Sequence, residues 1–169
     1  MAERKKKHKN GLRVSIVMGS KSDVDIVKSA ADVLAQFDVG CEMKVLSAHR
    51  TPKELAAYIE RLPQRGVQVI IAAAGMAAAL AGTIAAHTTL PVIGIPLETS
   101  TLKGLDSLLS TVQMPKGVPV ACMAIGSAGA QNAALFACQI LALQDRALQA
   151  RLQAYKAEMA AAIRKITLT

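Results

Sequence analysis

The chain has no tryptophan, and its 169 residues include two phenylalanines and two tyrosines. Recognition of single-stranded nucleic acid by stacking bases on aromatic platforms has almost no residues to use. Cysteine is also scarce. Cys41, Cys122 and Cys138 are odd in number and far apart, which reads as free buried thiols in a reducing compartment. No apolar run reaches the roughly 18 residues that a membrane-spanning helix needs. The nearest approach, residues 67–97, is broken by Gly75, Gly82, His87, Pro91, Gly94 and Pro96. Nothing in the first part of the chain joins a basic stretch to an apolar segment of roughly 7–15 residues and a small-residue cleavage site, so no secretory signal is expected.

Apolar residues make up 52% of the chain and charged residues 19%, which is enough apolar surface for a buried core and too much for a disordered chain. The length suits about one domain. The net charge of +8 is concentrated at the start: residues 1–13 carry +5 of it and the remaining body +3. We therefore expect a basic, disordered tail over residues 1–12 and a single catalytic α/β domain over residues 13–169. The body has no basic stripe to hold nucleic acid.

One grammar repeats along the body: a short β-branched and apolar run, a loop of small residues, then a segment with helical spacing. It predicts a parallel sheet with helices on both faces, a doubly wound three-layer sandwich with five strands and a C-terminal helix. The strands are expected at 13–18, 41–46, 68–73, 91–95 and 118–125, and the continuous apolar run of the third implies burial on both faces. The first helix runs to about Phe37, with Val24, Val27, Ala31 and Leu34 inward. The second should open with Thr51 as N-cap, Pro52 in its first turn and Glu54 closing a capping box. Further helices are expected at 77–87, 104–112 and 129–143. A last one, 145–166, carries Leu148, Leu152, Tyr155 and Met159 on one stripe, for packing on the domain or on a neighbouring subunit.

Ligands of such sheets bind outside the carboxyl ends of the strands. That edge collects Gly19–Asp23, Ser47–Pro52, the Gly/Ala loop from Ala73 to Leu80, the segment from Pro96 to Lys103, and the Gly126–Gly129 loop. In the first, backbone N–H groups at a helix start, with Ser20 and Ser22, suit a phosphate; the competing reading is that Ser22 or Asp23 only caps the helix. In the second, His49 beside Arg50 offers a proton carrier and a two-pronged anion contact, against the plainer reading of a hydrogen-bonded turn. The two small-residue loops suit either close approach of backbone to a flat ligand or tight helix-on-strand packing. No pair of His, Cys or carboxylate residues has metal-ligand spacing, and no G-x-S-x-G elbow occurs. Cys122, within a strand, reads as core, and His87 falls at the opposite edge of the sheet.

Taken together, MGSKSD (18–23), SAHRTP (47–52), the loop at 73–82, DSLLSTVQMPKGVPV (106–120) and AIGSAGAQNAALFACQILA (124–142) resemble the 5-(carboxyamino)imidazole ribonucleotide mutase family, of the catalytic-subunit type. The resemblance implies a flavodoxin-like sandwich assembled into a homo-octamer in the cytoplasm. It implies carboxylate transfer from the exocyclic amine of a ribonucleotide to a ring carbon, with no ATP, metal or organic cofactor. By that similarity His49 is the proton shuttle, Ser20, Asp23 and Arg50 hold the ribose phosphate part, and Ser22, Ser47 and Ala48 line it. Gly75, Met76, Ala77, Ala78, Ala79 and Leu80 would cover the base and the carbon dioxide. Functional coupling to a carboxyaminoimidazole ribonucleotide synthetase follows from the same likeness.

The chain departs from the family at Ala79-Leu80-Ala81-Gly82, where the usual segment is His-Leu-Pro-Gly. Related carboxylases that join free carbon dioxide to aminoimidazole ribonucleotide also lack that histidine. Direct carboxylation is therefore the alternative within the family, and a non-catalytic nucleotide-binding module is the alternative outside it.

Overall fold

The computed structural model describes residues 11–99 and 101–167, so the expected tail lies outside the described residues as far as residue 10. Among the described residues five strands and six α-helices follow in order, alternating until two helices end the series. They are β1 (Val14–Met18), α1 (Val24–Gln36), β2 (Cys41–Val45), α2 (Pro52–Glu60), β3 (Val69–Gly75), α3 (Leu80–Ala86), β4 (Val92–Leu97), α4 (Leu105–Val112), β5 (Ala121–Cys122), α5 (Ser127–Ala142) and α6 (Arg146–Arg164). All strand pairs are parallel, in the order β2-β1-β3-β4-β5. Val14 is in register with Cys41 on one side and Val69 on the other. The chain thus leaves β1 toward one edge and later returns to build toward the other, and the crevice for a ligand opens at that reversal.

The period-two alternation of the strands divides the core between two layers. Val14, Ile16, Met18, Val69, Ile71 and Ala73 face α1, α5 and α6, where Val27, Ala30, Leu34, Ala133, Ala137 and Leu148 are buried. Val17, Ile70 and Ala72 face the other way, against Leu55, Ile59, Leu62, Leu80 and Ile84. The alanines of α5 let it lie close to α1 and the sheet, so a core nearly without aromatics still fills. The inward face of α1 buries Ala30 as well, and the expected Ala31 packs partly buried against the same core.

A polar chain joins α2 to the sheet. The Tyr58 hydroxyl donates to Glu42 Oε1 at 2.7 Å and lies 2.7 Å from the buried Ser15 hydroxyl, while Arg65 Nη2 donates to Glu42 Oε2 at 2.7 Å. Burial, opposed by the Ser15 hydrogen bond and reinforced by the Glu42 carboxylate, pushes the Tyr58 phenol up to about 12. Arg13 ties the far end of the sheet to α6 through Asp145 at 3.0 Å, and Asp145 caps that helix by accepting from the Leu148 N–H at 3.0 Å.

Three local expectations are corrected, and two open ones are narrowed. The capping box at α2 does not form: the Thr51 hydroxyl accepts from the Ser47 N–H at 2.9 Å and donates to the Ser47 carbonyl at 3.1 Å, leaving no cap bond for the helix. The fifth strand shrinks to two paired residues, because Pro119 has no N–H for the ladder and past Cys122 the contact is the Met123 N–H to the Gly94 carbonyl at 2.9 Å. Only Cys138 is buried; Cys41 and Cys122 are partly exposed, so Cys122 is not core. Of the two readings held for the Gly126–Gly129 loop the packing one fits: the loop does not line the pocket, and a side chain on Gly129 would collide with the Ala124 carbonyl. On α6, Leu148 and Leu152 are buried and Tyr155 meets Phe37 edge-on at 5.4 Å, while Met159 is exposed.

Candidate active site

The loops that follow β1, β2, β3 and β4 reach one cavity of about 490 Å³, at the carboxyl edge where the strand order reverses. A volume of that size suits a small ligand. After β1, a single 3-10 turn (Lys21–Asp23) precedes α1 and forms the polar floor. The Ser20 N–H donates to Asp23 Oδ2 at 3.0 Å and the Ser22 N–H to Ser20 Oγ at 3.3 Å; the Ser22 hydroxyl lies 2.9 Å from Ser20 Oγ and 3.1 Å from Asp23 Oδ1. Ser20 caps the 3-10 turn in a capping box that Asp23 closes, and Asp23 in turn holds the N-cap position of α1 without a side-chain cap bond, so capping residues and cavity wall are the same. The buried Asp23 carboxylate uses both oxygens to hold the loop.

After β2, residues 47–51 close into a ring. The Thr51 N–H donates to the Ser47 carbonyl at 3.0 Å, the Thr51 hydroxyl bonds both backbone groups of Ser47, and the Arg50 N–H donates to Ser47 Oγ at 3.2 Å. His49 stands exposed in this clipped turn and lines the cavity with Ala48 and Arg50. Among the described residues the second histidine, His87, caps the far end of α3 and bonds the Thr83 carbonyl at 2.8 Å, away from the cavity.

The third wall is the loop after β3. Gly75, Met76, Ala77, Ala79 and Leu80 line the cavity, whereas Ala78 points away from it and is buried at 1% exposure. Of the two departures from the family segment, only Ala79 faces the cavity; Ala81 lies in the first turn of α3 on its buried side, its Cβ 3.4 Å from where a side chain on Gly94 would sit. Every other expected site residue is brought to this one place. Gly19 and Ala74, which belong to two of the loops singled out in the sequence, also line it, and so does Thr99, which sequence reasoning did not name. Thr99 had a signal, since the segment from Pro96 to Lys103 falls on the ligand edge. Within it, though, nothing about a lone threonine marks contact with another loop.

The arrangement sets hydrogen-bond donors and a guanidinium on one side, small apolar groups on the other and an imidazole between them. It is a flavodoxin-like α/β protein with its ligand pocket at the switch point. Comparison with known proteins narrows the class. The AIR carboxylase family matches residues 13–162. The chain is 54% identical over 147 residues to N5-carboxyaminoimidazole ribonucleotide mutase of Vibrio parahaemolyticus, covering 87% of this chain and 91% of that one. It is 55% identical over 139 residues to the protein of the same name from Bacillus subtilis, covering 82% and 86%. The crystal structure of Treponema denticola PurE superposes with a TM-score of 0.82 at 27% identity, covering 90% of this chain and 94% of that one. This chain belongs to the AIR carboxylase family, as an enzyme of the isomerase and mutase kind that those names carry.

Proposed function

We infer that the enzyme converts 5-(carboxyamino)imidazole ribonucleotide to 4-carboxy-5-aminoimidazole ribonucleotide in de novo purine biosynthesis. The observation that carries this reading is the convergence of His49, the serine loop and the Gly/Ala wall on one cavity. Ser20, Asp23 and Arg50 hold the ribose phosphate part, Asp23 by fixing the serine loop and Arg50 by its guanidinium, and Ser22, Ser47 and Ala48 line it. Gly75, Met76, Ala77, Ala79 and Leu80 cover the flat base and give carbon dioxide an apolar surface.

In the reaction, His49 as imidazolium donates a proton to the exocyclic nitrogen while the N–C bond of the carbamate breaks, releasing carbon dioxide and the amine. The electron-rich ring carbon then attacks the carbon dioxide held beside it. Neutral His49 removes the proton from that carbon, the ring regains aromaticity, and the imidazolium is regenerated. The proton given equals the proton taken, so one imidazole suffices as the shuttle and the reaction needs no cofactor. The carbamate is labile in water, so a synthetase that supplies it fits the same role, and a cytoplasmic location follows from the pathway.

We take the assembly to be a homo-octamer, which α4 supports. Its inward residues are the small polar Ser107 and Thr111, bonded to backbone carbonyls of Leu97 and Ser107 at 2.8 and 2.7 Å. Its outward side bears Leu105, Leu109 and Val112, with Leu102 just before it, each about half exposed. A helix that turns its leucines outward is built to be covered.

Direct carboxylation of aminoimidazole ribonucleotide is the second reading, and Ala79 is the observation in its favour, since the cavity lacks the family imidazole there. Turnover measured with the carboxyamino substrate and with the amine plus labelled bicarbonate separates the two. The mutase gives much faster turnover of the first, with label entering product slowly relative to turnover. Equal or faster reaction of the amine overturns it in favour of the carboxylase. Nucleotide binding without turnover of either leaves a non-catalytic module.

A further inference from the structure

The wall that covers the base begins with an unusual backbone step. β3 ends at Gly75, and the next residue, Met76, has φ +56°, a left-handed conformation that residues with a side chain seldom adopt. Met76 is 59% exposed, so no packing of its own side chain holds it there. What does touch this step is Thr99. The Met76 N–H donates to Thr99 Oγ1 at 3.0 Å. A methyl built on Gly75 would lie 2.5 Å from Thr99 Cγ2 and 2.9 Å from its Oγ1, so the threonine lies directly across the glycine.

The placement follows from the sheet. Gly75 pairs with Leu97 in the last step of the β3–β4 ladder, and Thr99 stands two residues beyond Leu97. Where backbone pairing ends, a side-chain oxygen takes the next N–H of β3. Both branches of the threonine are used: the hydroxyl on the Met76 N–H, the methyl against Gly75. Thr99 also lines the cavity itself.

We propose that Thr99 is a positioning residue of the pocket, which holds Met76 in its left-handed turn and thereby fixes the wall of Gly75, Ala77 and Ala79 against a flat heterocycle. The identity of that heterocycle rests on the function proposed above; the turn itself does not. Small misplacement of a wall that orients a reacting ring is costly, since a shift of about 1 Å can cost on the order of a hundredfold in rate.

The two branches give the test its design. Thr99→Val keeps the methyl and removes the acceptor, Thr99→Ser does the reverse, and Met76→Gly lets residue 76 adopt a positive φ without help. Each is made in the full chain, singly and as the pair Met76→Gly with Thr99→Val. The readouts are kcat and KM with the carboxyamino ribonucleotide, and amide hydrogen exchange at residue 76. Thr99→Val should speed exchange at Met76 by about tenfold or more and lower kcat/KM by roughly ten- to a hundredfold. Thr99→Ser should recover most of both losses. On the Met76→Gly background the effect of Thr99→Val on kcat/KM should shrink, a non-additivity that a space-filling role would not produce.

The proposal is overturned if Thr99→Val leaves Met76 exchange at the wild-type rate, if serine rescues no better than valine, or if the two substitutions add. Should the wild-type protein turn over neither substrate, the proposed function fails, and the exchange rates alone still decide whether Thr99 holds the turn.

Discussion

Arg50 Nη2 donates to the Gly19 carbonyl oxygen at 2.8 Å, so a side chain from the loop after β2 is anchored on the backbone of the loop after β1. Its Nε also approaches Ser47 Oγ at 3.4 Å. One guanidinium therefore links the two loops proposed to take the phosphate and keeps further N–H groups for the ligand.

Arg50→Ala should raise KM by roughly tenfold or more, through loss of a charge-assisted contact together with the link to Gly19. Arg50→Lys should recover only part of this, since an ammonium cannot span both partners. Steady-state kinetics with the carboxyamino substrate check it; an unchanged KM in Arg50→Ala would remove Arg50 from the binding wall.

His49→Asn should lower kcat by at least about a hundredfold, in line with the ~100–10,000-fold contribution of general acid–base groups. Affinity for the product nucleotide, measured by calorimetry, should change little. His87, bonded to the Thr83 carbonyl at the opposite edge, is in no position to substitute. Near wild-type turnover would refute the shuttle.

The doubly wound order was legible because each strand announces itself: Val14–Met18 and Val69–Ala73 are buried along their whole length, and such runs have no other home than the middle of a parallel sheet. The edge was not. Val118–Ile125 has the composition of a strand, yet Pro119 and the turn around Gly117 keep most of it out of the ladder. The start of α2 was legible from Thr51-Pro52, but the use of the hydroxyl was not. Whether a threonine caps a helix or clips a turn depends on where the chain four residues earlier lies, and local sequence does not state that. Arg50 and His49 could be placed on the ligand edge from their position after a strand. Thr99 reaches Met76 across 23 residues, through a register that only the folded sheet supplies.

Acid should weaken the Ser15–Tyr58–Glu42–Arg65 chain in a defined direction. Burial alone would raise the Glu42 pKa, but hydrogen bonds from Arg65 and Tyr58 outweigh it and hold the carboxyl below its ordinary 4.5. A depressed native pKa adds stability that is present above the unfolded value and is lost as pH falls through the native one. Arg65→Ala should lower Tm at pH 7, by the equivalent of less than about 1 kcal/mol for so exposed a pair. The gap to wild type should narrow as pH falls below the ordinary 4.5 and vanish once Glu42 is protonated in the native protein. A gap of equal size before and after that protonation in thermal melts would show that Arg65 acts through packing instead.

Leu105→Glu with Leu109→Glu should dissociate the assembly into smaller species while leaving the sandwich folded, because both side chains are outward and the inward contacts of α4 are made by Ser107 and Thr111. Light scattering and circular dichroism read the two halves of this statement. An unaltered mass would place the subunit contacts elsewhere, and a concentration-independent monomer in the wild type would remove the octamer altogether.

The two-residue β5 has a consequence for how copies of this chain can meet. With Ile93–Ala121 and Gly94–Cys122 as its whole pairing, that border of the sheet offers a visiting strand almost no row of N–H and C=O groups to extend. Ribbon-like growth from one molecule to the next is blunted there. At that border, contact between copies would fall to side-chain surfaces such as the leucines of α4, which can close into a finite shell where an open row of hydrogen bonds would propagate without end.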